Sequence, residues 1–97
     1  VFAIFALMKK IDLNEYCPCC GYNSFDPKKR LELEICPICF WEDDPLQFND
    51  PHLEFSGNLV SLSQAQQNYT HSGASHEDMK RYCQKPGENA KRNPEWS

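Results

Sequence analysis

Three observations predict a small α+β fold for this 97-residue chain: two Cys-Pro-x-Cys units fifteen residues apart, a strictly alternating run between them, and two capped helical patterns after residue 60. A single cysteine-rich domain over residues 11–97 is expected, with a core at 14–44 and a helical extension at 61–97. A chain this short buries a modest share of its surface and needs a staple.

The chain opens on VFAIFAL, followed by Met8-Lys9-Lys10. This apolar prefix, residues 1–8, lacks a basic leader and a small-residue cleavage site, and it is too short to cross a bilayer. No membrane span is expected. The prefix reads either as an edge strand, through which the chain pairs with a second copy, or as residues preceding a start at Met8.

Between the cysteine units, Leu31-Glu32-Leu33-Glu34-Ile35 alternates apolar and acidic residues, the pattern of a strand with one buried face. Tyr22 to Phe25 supplies its hairpin partner, and Asp26-Pro27 with Lys28-Lys29-Arg30 the turn. Residues 42–60 read as an ordered but irregular loop, pinned to the hairpin by Leu46, Phe48, Leu53 and Phe55. A first helix is expected over 62–69, capped by Ser61 with Gln64 three residues on, placing Leu62, Ala65 and Tyr69 on one face. A second is expected over 76–84, capped by Ser75, with Met79, Tyr82 and Cys83 inward. Pro86-Gly87 ends it, and residues 88–97 read as an extended tail tied down by Trp96.

The spacing C-x₂-C-x₁₅-C-x₂-C carries the chemistry. A CxxC turn brings two thiolates onto one ion, and two such turns complete the tetrahedron that Zn²⁺ prefers. Aligning the units sets Cys17 against Cys36, Cys20 against Cys39, and Cys19 against Ile38. Cys17, Cys20, Cys36 and Cys39 are therefore the expected ligands of one structural Zn²⁺, in a zinc-ribbon-like β-hairpin with two zinc knuckles. Iron suits the same four thiolates. With all four positions filled by protein, a catalytic metal is not expected. Gly21, directly after Cys20, suits the left-handed backbone that frees amides to face sulfur, whereas Phe40 requires another solution. Each unit has Pro after its first cysteine, which fixes φ at the start of the turn.

Cys19 lies between ligands and is either a reactive thiol, activated by the nearby cation, or an idle one. Trp41-Glu42-Asp43-Asp44 reads either as a recognition edge for a basic partner or a hard cation, or as local turn and capping residues. His52, His71 and His76 have no ligand-like spacing, and no catalytic or phosphate-cradling motif is present.

Net charge is −4, with ten acids against five bases in residues 1–60 and four against five in 61–97. Four thiolates on Zn²⁺ add about two negative charges to the acidic half. Nucleic-acid binding is therefore disfavoured. Lys80, Arg81, Lys85, Lys91 and Arg92 read either as a weak nucleic-acid patch or as a solvated face pairing with the acidic half. Paired C-P-x-C units without a secretory leader favour a reducing, cytoplasmic compartment.

Cys17-Pro18-Cys19-Cys20-Gly21, then Glu34-Ile35-Cys36-Pro37-Ile38-Cys39-Phe40-Trp41-Glu42-Asp43-Asp44, then Ser61-Leu62 to Ala65 and Asn68-Tyr69, resembles the bacterial cysteine-rich CPCC domain family over residues 14–96. The resemblance implies a small zinc-binding domain of bacterial cytoplasmic proteins, with Cys19 and the Trp-Glu-Asp-Asp run part of its pattern. It assigns no activity. The expected function is a zinc-stapled module that binds a protein partner. The alternatives are a thiol enzyme or redox sensor using Cys19, and a nucleic-acid-binding zinc ribbon.

Overall fold

The computed structural model describes residues 13–96. The prefix over 1–8, with the dimer edge expected of it, lies outside the described residues. Among the described residues, four helical elements occur in order: a 3₁₀ turn at Pro27–Lys29, α1 at Pro45–Asn49, α2 at Leu62–Ser72 and a 3₁₀ helix at Glu77–Tyr82. Around them the chain runs in turns, and the core they enclose is the cysteine cluster with Phe25, Ile38, Trp41, Leu62 and Ala65.

The expected hairpin does not form. Among the described residues the β-pairing consists of two isolated bridges, Tyr22 with Arg92 and Ile35 with Glu42. Neither joins residues 22–25 to 31–35. The reason lies at Arg30 and Asp43, whose side chains are inside the molecule. The Leu31 amide turns in to donate to Asp43 Oδ2 at 2.8 Å, and Leu31 and Leu33 both take positive φ, near 65°. Two left-handed residues in a five-residue run interrupt the pleat that alternation requires. Leu33 and Ile35 are consequently exposed, and the segment folds back on residues 41–43 through Leu33 N to Asp43 O and Asp43 N to Glu34 O.

The loop expected over 42–60 contains α1. Asp44 caps it by accepting from the Leu46 amide at 2.8 Å, and Pro45 takes the first helical position, where a missing N–H costs nothing. The loop is organised by a polar side chain and not by its apolar ones. Leu46 and Phe55 are exposed, whereas Gln47 is fully buried. Its amide nitrogen donates to the Leu53 and Val60 carbonyls at 3.0 and 2.9 Å, and its oxygen accepts from the Asn58 amide and side chain. Each buried polar atom has a partner, which makes the burial favourable.

Helix α2 runs three residues beyond its expected end. Ser61 Oγ accepts from the Gln64 amide at 3.1 Å, and Gly73, at φ 80°, closes the helix with its N–H on the Tyr69 carbonyl. The Gln64 side chain reaches Asn68 instead of completing a capping box. The second expected helix is a 3₁₀ helix. His76, not Ser75, caps it, with Nδ1 accepting from the Asp78 amide at 3.0 Å. Ser75 is buried, and its amide donates to the Cys39 carbonyl. Among the described residues, no helix is long and apolar enough to cross a membrane.

Candidate metal centre

The two cysteine units adopt one backbone fold, twice. The Cys17 amide donates to the Tyr22 carbonyl and the Gly21 amide to the Cys17 carbonyl, each at 2.8 Å. At the same offsets, Cys36 donates to Trp41 and Phe40 to Cys36, again at 2.8 Å. Gly21 sits at φ 83° and Phe40 at φ 66°. The second unit thus uses the same left-handed residue as the first, with phenylalanine in place of glycine, and needs no other solution. The strain at Phe40 is of the order of 1–2 kcal/mol, and the ring stacks on Tyr82 at 5.1 Å between centroids.

The knuckles face each other across the core. Cys17, Cys20, Cys36 and Cys39 are fully buried, and their sulfurs all lie within 4.8 Å of one another. Two pairs cross between the knuckles, Cys17 to Cys39 at 3.6 Å and Cys20 to Cys36 at 3.8 Å. Sulfurs at the corners of a tetrahedron with metal–sulfur bonds of about 2.3 Å stand about 3.8 Å apart, so the cluster fits a zinc-sized cation. All four cysteines are unpaired by disulfide.

The electrostatics of the cluster favour a cation. Burial pushes the Cys17 and Cys39 thiols up, and their sulfur neighbours add to it. Hydrogen bonds from Cys17, Cys20 and Cys39, with help from Ser24, hold Cys36 down. A central divalent charge would make four adjacent thiolates compatible. Ser24 Oγ donates to Cys36 Sγ at 3.0 Å and the Cys19 amide points at Cys17 Sγ at 3.4 Å. Such outer contacts orient thiolates and spread their charge.

Residues distant in sequence complete the surroundings. The Gln66 side chain donates to the Pro18 carbonyl at 2.8 Å, and Arg92 Nε to the Cys20 carbonyl at 3.0 Å. Arg92 also lies over the Tyr22 ring at 4.9 Å, with Trp96 and Tyr69 near 6 Å. Trp96 lies directly on Gly21, where a Cβ would come within 2.5 Å of the indole. Ser24, Gln66 and Arg92 carry no sequence signal for this role, because each acts through a contact set by the tertiary fold. Trp96 was legible as an anchor, though not its seat.

Cys19 is brought beside the cluster but is buried, lining a cavity of about 240 Å³ with Gln66, Tyr69 and Arg92. Cys83 is half-buried, donates to the Met79 carbonyl at 3.3 Å, and burial pushes its thiol up. The Trp-Glu-Asp-Asp run is mostly internal. Trp41 and Asp43 are fully buried, Asp44 nearly so, and Glu42 is the member that reaches the surface. Asp43 accepts from Arg30 Nε at 2.7 Å in a buried ion pair. Trp41 Nε1 has no hydrogen-bond partner among the described residues. His52 and His71 stand exposed.

Compared with known families, residues 15–90 match the family model described as cysteine-rich CPCC. No curated protein matches the chain.

Proposed function

The chain belongs to the cysteine-rich CPCC family, and from that premise we propose that it is a structural-zinc protein whose metal holds together a small protein-binding module, working in the cytoplasm. The observation that carries the metal reading is the closed set of four buried sulfurs within 4.8 Å on two matching knuckles. Cys17 and Cys20 from one side and Cys36 and Cys39 from the other supply every position of a tetrahedral ion. Zn²⁺ bound there supplies charge neutralisation and cross-linking, and no water is left to activate. Zinc is favoured over iron because the site needs no redox change to serve as a scaffold.

The rival readings lose support. A thiol enzyme or sensor needs a thiolate within reach of its substrate, and Cys19 is 1% exposed. Against a nucleic-acid-binding ribbon stand the acidic N-terminal half and the commitment of Arg92 to an aromatic cluster, although Lys80, Arg81, Lys85 and Lys91 are exposed. What supports protein binding is an exposed apolar surface on the acidic half, with Leu33, Leu46, Phe55 and Leu59 each at least half exposed.

Native mass spectrometry with elemental analysis and a thiol count tests the reading. One zinc per chain, with Cys83 alkylated before Cys19 and the four ligands protected, is the expected result. Iron in place of zinc, absence of metal, or rapid modification of Cys19 would each overturn it.

A further inference from the structure

A cleft of about 130 Å³ opens beside the second knuckle, walled by Ile35, Phe40, Leu59, Val60 and Met79, with Glu42 at its edge. That is the scale of one side chain, since a cavity of about 150 Å³ takes up a benzene ring. A shallower groove of about 500 Å³ runs over Leu33 and Leu46 and shares Glu42 and Gly57 with the cleft. Isolated exposed apolar residues are ordinary, but these line two connected depressions.

The charge around both depressions has one sign. Glu32, Glu42 and Asp44 line them, and no lysine or arginine among the described residues does; His76 also lines the cleft, with its Nδ1 taken by the Asp78 amide. Asp44 is already satisfied by the Leu46 and Gly57 amides. Glu42 differs. Asn58 grips its backbone from both sides, donating to the carbonyl and accepting from the amide at 2.9 Å. Its carboxylate meets no cation among the described residues. Burial, and then the charge of Asp44, push its pKa up. Fixed backbone, apolar walls and an uncompensated carboxylate complement a cationic side chain with an aliphatic stem.

We propose that the cleft and groove dock a segment of a partner protein in which a lysine or arginine is flanked by apolar residues. The stem lies along Ile35, Leu59 and Met79, the cation meets Glu42, and the flanking side chains cover Leu33 and Leu46. This rests on the reading of the chain as a protein-binding module and names the partner's chemistry. An acidic segment would face Glu32 and Glu42 and is disfavoured by like charge.

Selection of a random peptide library displayed on phage, against the immobilised zinc-loaded full chain, tests it. Retained peptides should carry a lysine or arginine between apolar residues. Glu42→Gln should weaken them about tenfold, the loss of one desolvated charge contact, while Glu88→Gln, on the exposed tail, leaves affinity within about twofold. Ile35→Lys puts a cation at the exposed edge of the cleft and should abolish binding, with zinc content and unfolding midpoint unchanged. Binders without a cation, or binders indifferent to both cleft variants, would overturn the docking site and leave protein binding intact. No retained peptide would sink both readings. Self-association that Ile35→Lys abolishes, with no peptide retained, would assign the cleft to a second copy and overturn the proposal.

Discussion

Asp43 is fully buried with all its partners present. Its two oxygens take Arg30 Nε and Nη2 at 2.7 and 3.3 Å, and Oδ2 also takes the Leu31 amide. The guanidinium in turn lies between the Phe25 and Phe48 rings and donates to the Asn14 carbonyl. Asp43→Ala would leave Arg30 buried and unpaired, at a cost of about 3–5 kcal/mol in urea unfolding at saturating zinc. A double variant with apolar residues of similar volume at both positions should recover much of that loss, because a buried pair adds little over good packing. Asp44, its neighbour, contributes through a cap. Burial raises its pKa, but hydrogen bonds from Ser56 and from the Gly57, Leu46 and Gln47 amides outweigh this and hold it below the usual carboxylate range. A folded-state pKa below the unfolded one adds stability above the unfolded value and loses it as pH falls through the folded one. The stability gap between wild type and Asp44→Asn should therefore be full at neutral pH, narrow below the ordinary carboxylate range, and close under acid conditions. The four-sulfur cluster is common to both chains, so any acid sensitivity of a metal bound there cancels. A gap that did not vary with pH would show that the charge at Asp44 adds nothing.

At the scale of elements, each knuckle carries an aromatic lid from the C-terminal third: Trp96 on Gly21, and Tyr82 on Phe40. The knuckles were legible in the sequence because a CxxC turn is local, and the duplicated unit identified which cysteines correspond. Helix α2 was legible for the same reason, since Ser61, its apolar spacing and Gly73 are local signals. The hairpin was misread because Leu31 to Ile35 obeys a contact thirteen residues away, Arg30 with Asp43, that overrides its alternation. Helix α1 was missed although Asp44-Pro45 is a cap followed by a first-turn proline, because five residues are too few for periodicity to appear. Gly21 and Gly73 test whether the lids matter. Both have φ near 80°, but a Cβ at Gly73 meets nothing within 4 Å. Gly73→Ala should cost about 1 kcal/mol, the left-handed backbone alone. Gly21→Ala should exceed that by about 1–3 kcal/mol, the overpacking against Trp96. In a Trp96→Ala background the two alanine substitutions should become equal. Thermal or urea unfolding of the six chains, the two parents and the two alanine variants of each, measures this, and equal costs with Trp96 present would mean the indole does not press on the knuckle.

At the scale of the whole molecule, the core is built around the four-sulfur cluster. Among the described residues, eleven apolar side chains are buried and five are cysteines, leaving Phe25, Ile38, Trp41, Leu62, Ala65 and Ala74 as the rest. The tail does not tie the halves together by charge, as the uneven distribution suggested. Among the described residues, the lysines and arginines form one ion pair, Arg30 with Asp43, and it lies within the N-terminal half. The tail instead reaches the knuckles through backbone, with Asn93 donating to the Gly21 carbonyl, Asn23 to Lys91 and Gln84 to Pro37. Elements this short, converging on four sulfurs, have little to hold them once those sulfurs separate. Metal binding and folding should therefore be one equilibrium, with chelation giving cooperative loss of structure. In zinc-buffered solutions above the dissociation constant, unfolding free energy should rise by about 1.4 kcal/mol per tenfold increase in free Zn²⁺, the value for one ion bound only by the folded chain. A slope near that value, abolished by Cys36→Ser and retained in Cys83→Ser, would tie stability to the four-sulfur centre. A midpoint independent of free zinc would mean that these cysteines pack as small apolar residues and that the fold stands on Arg30, Gln47 and Trp41 alone.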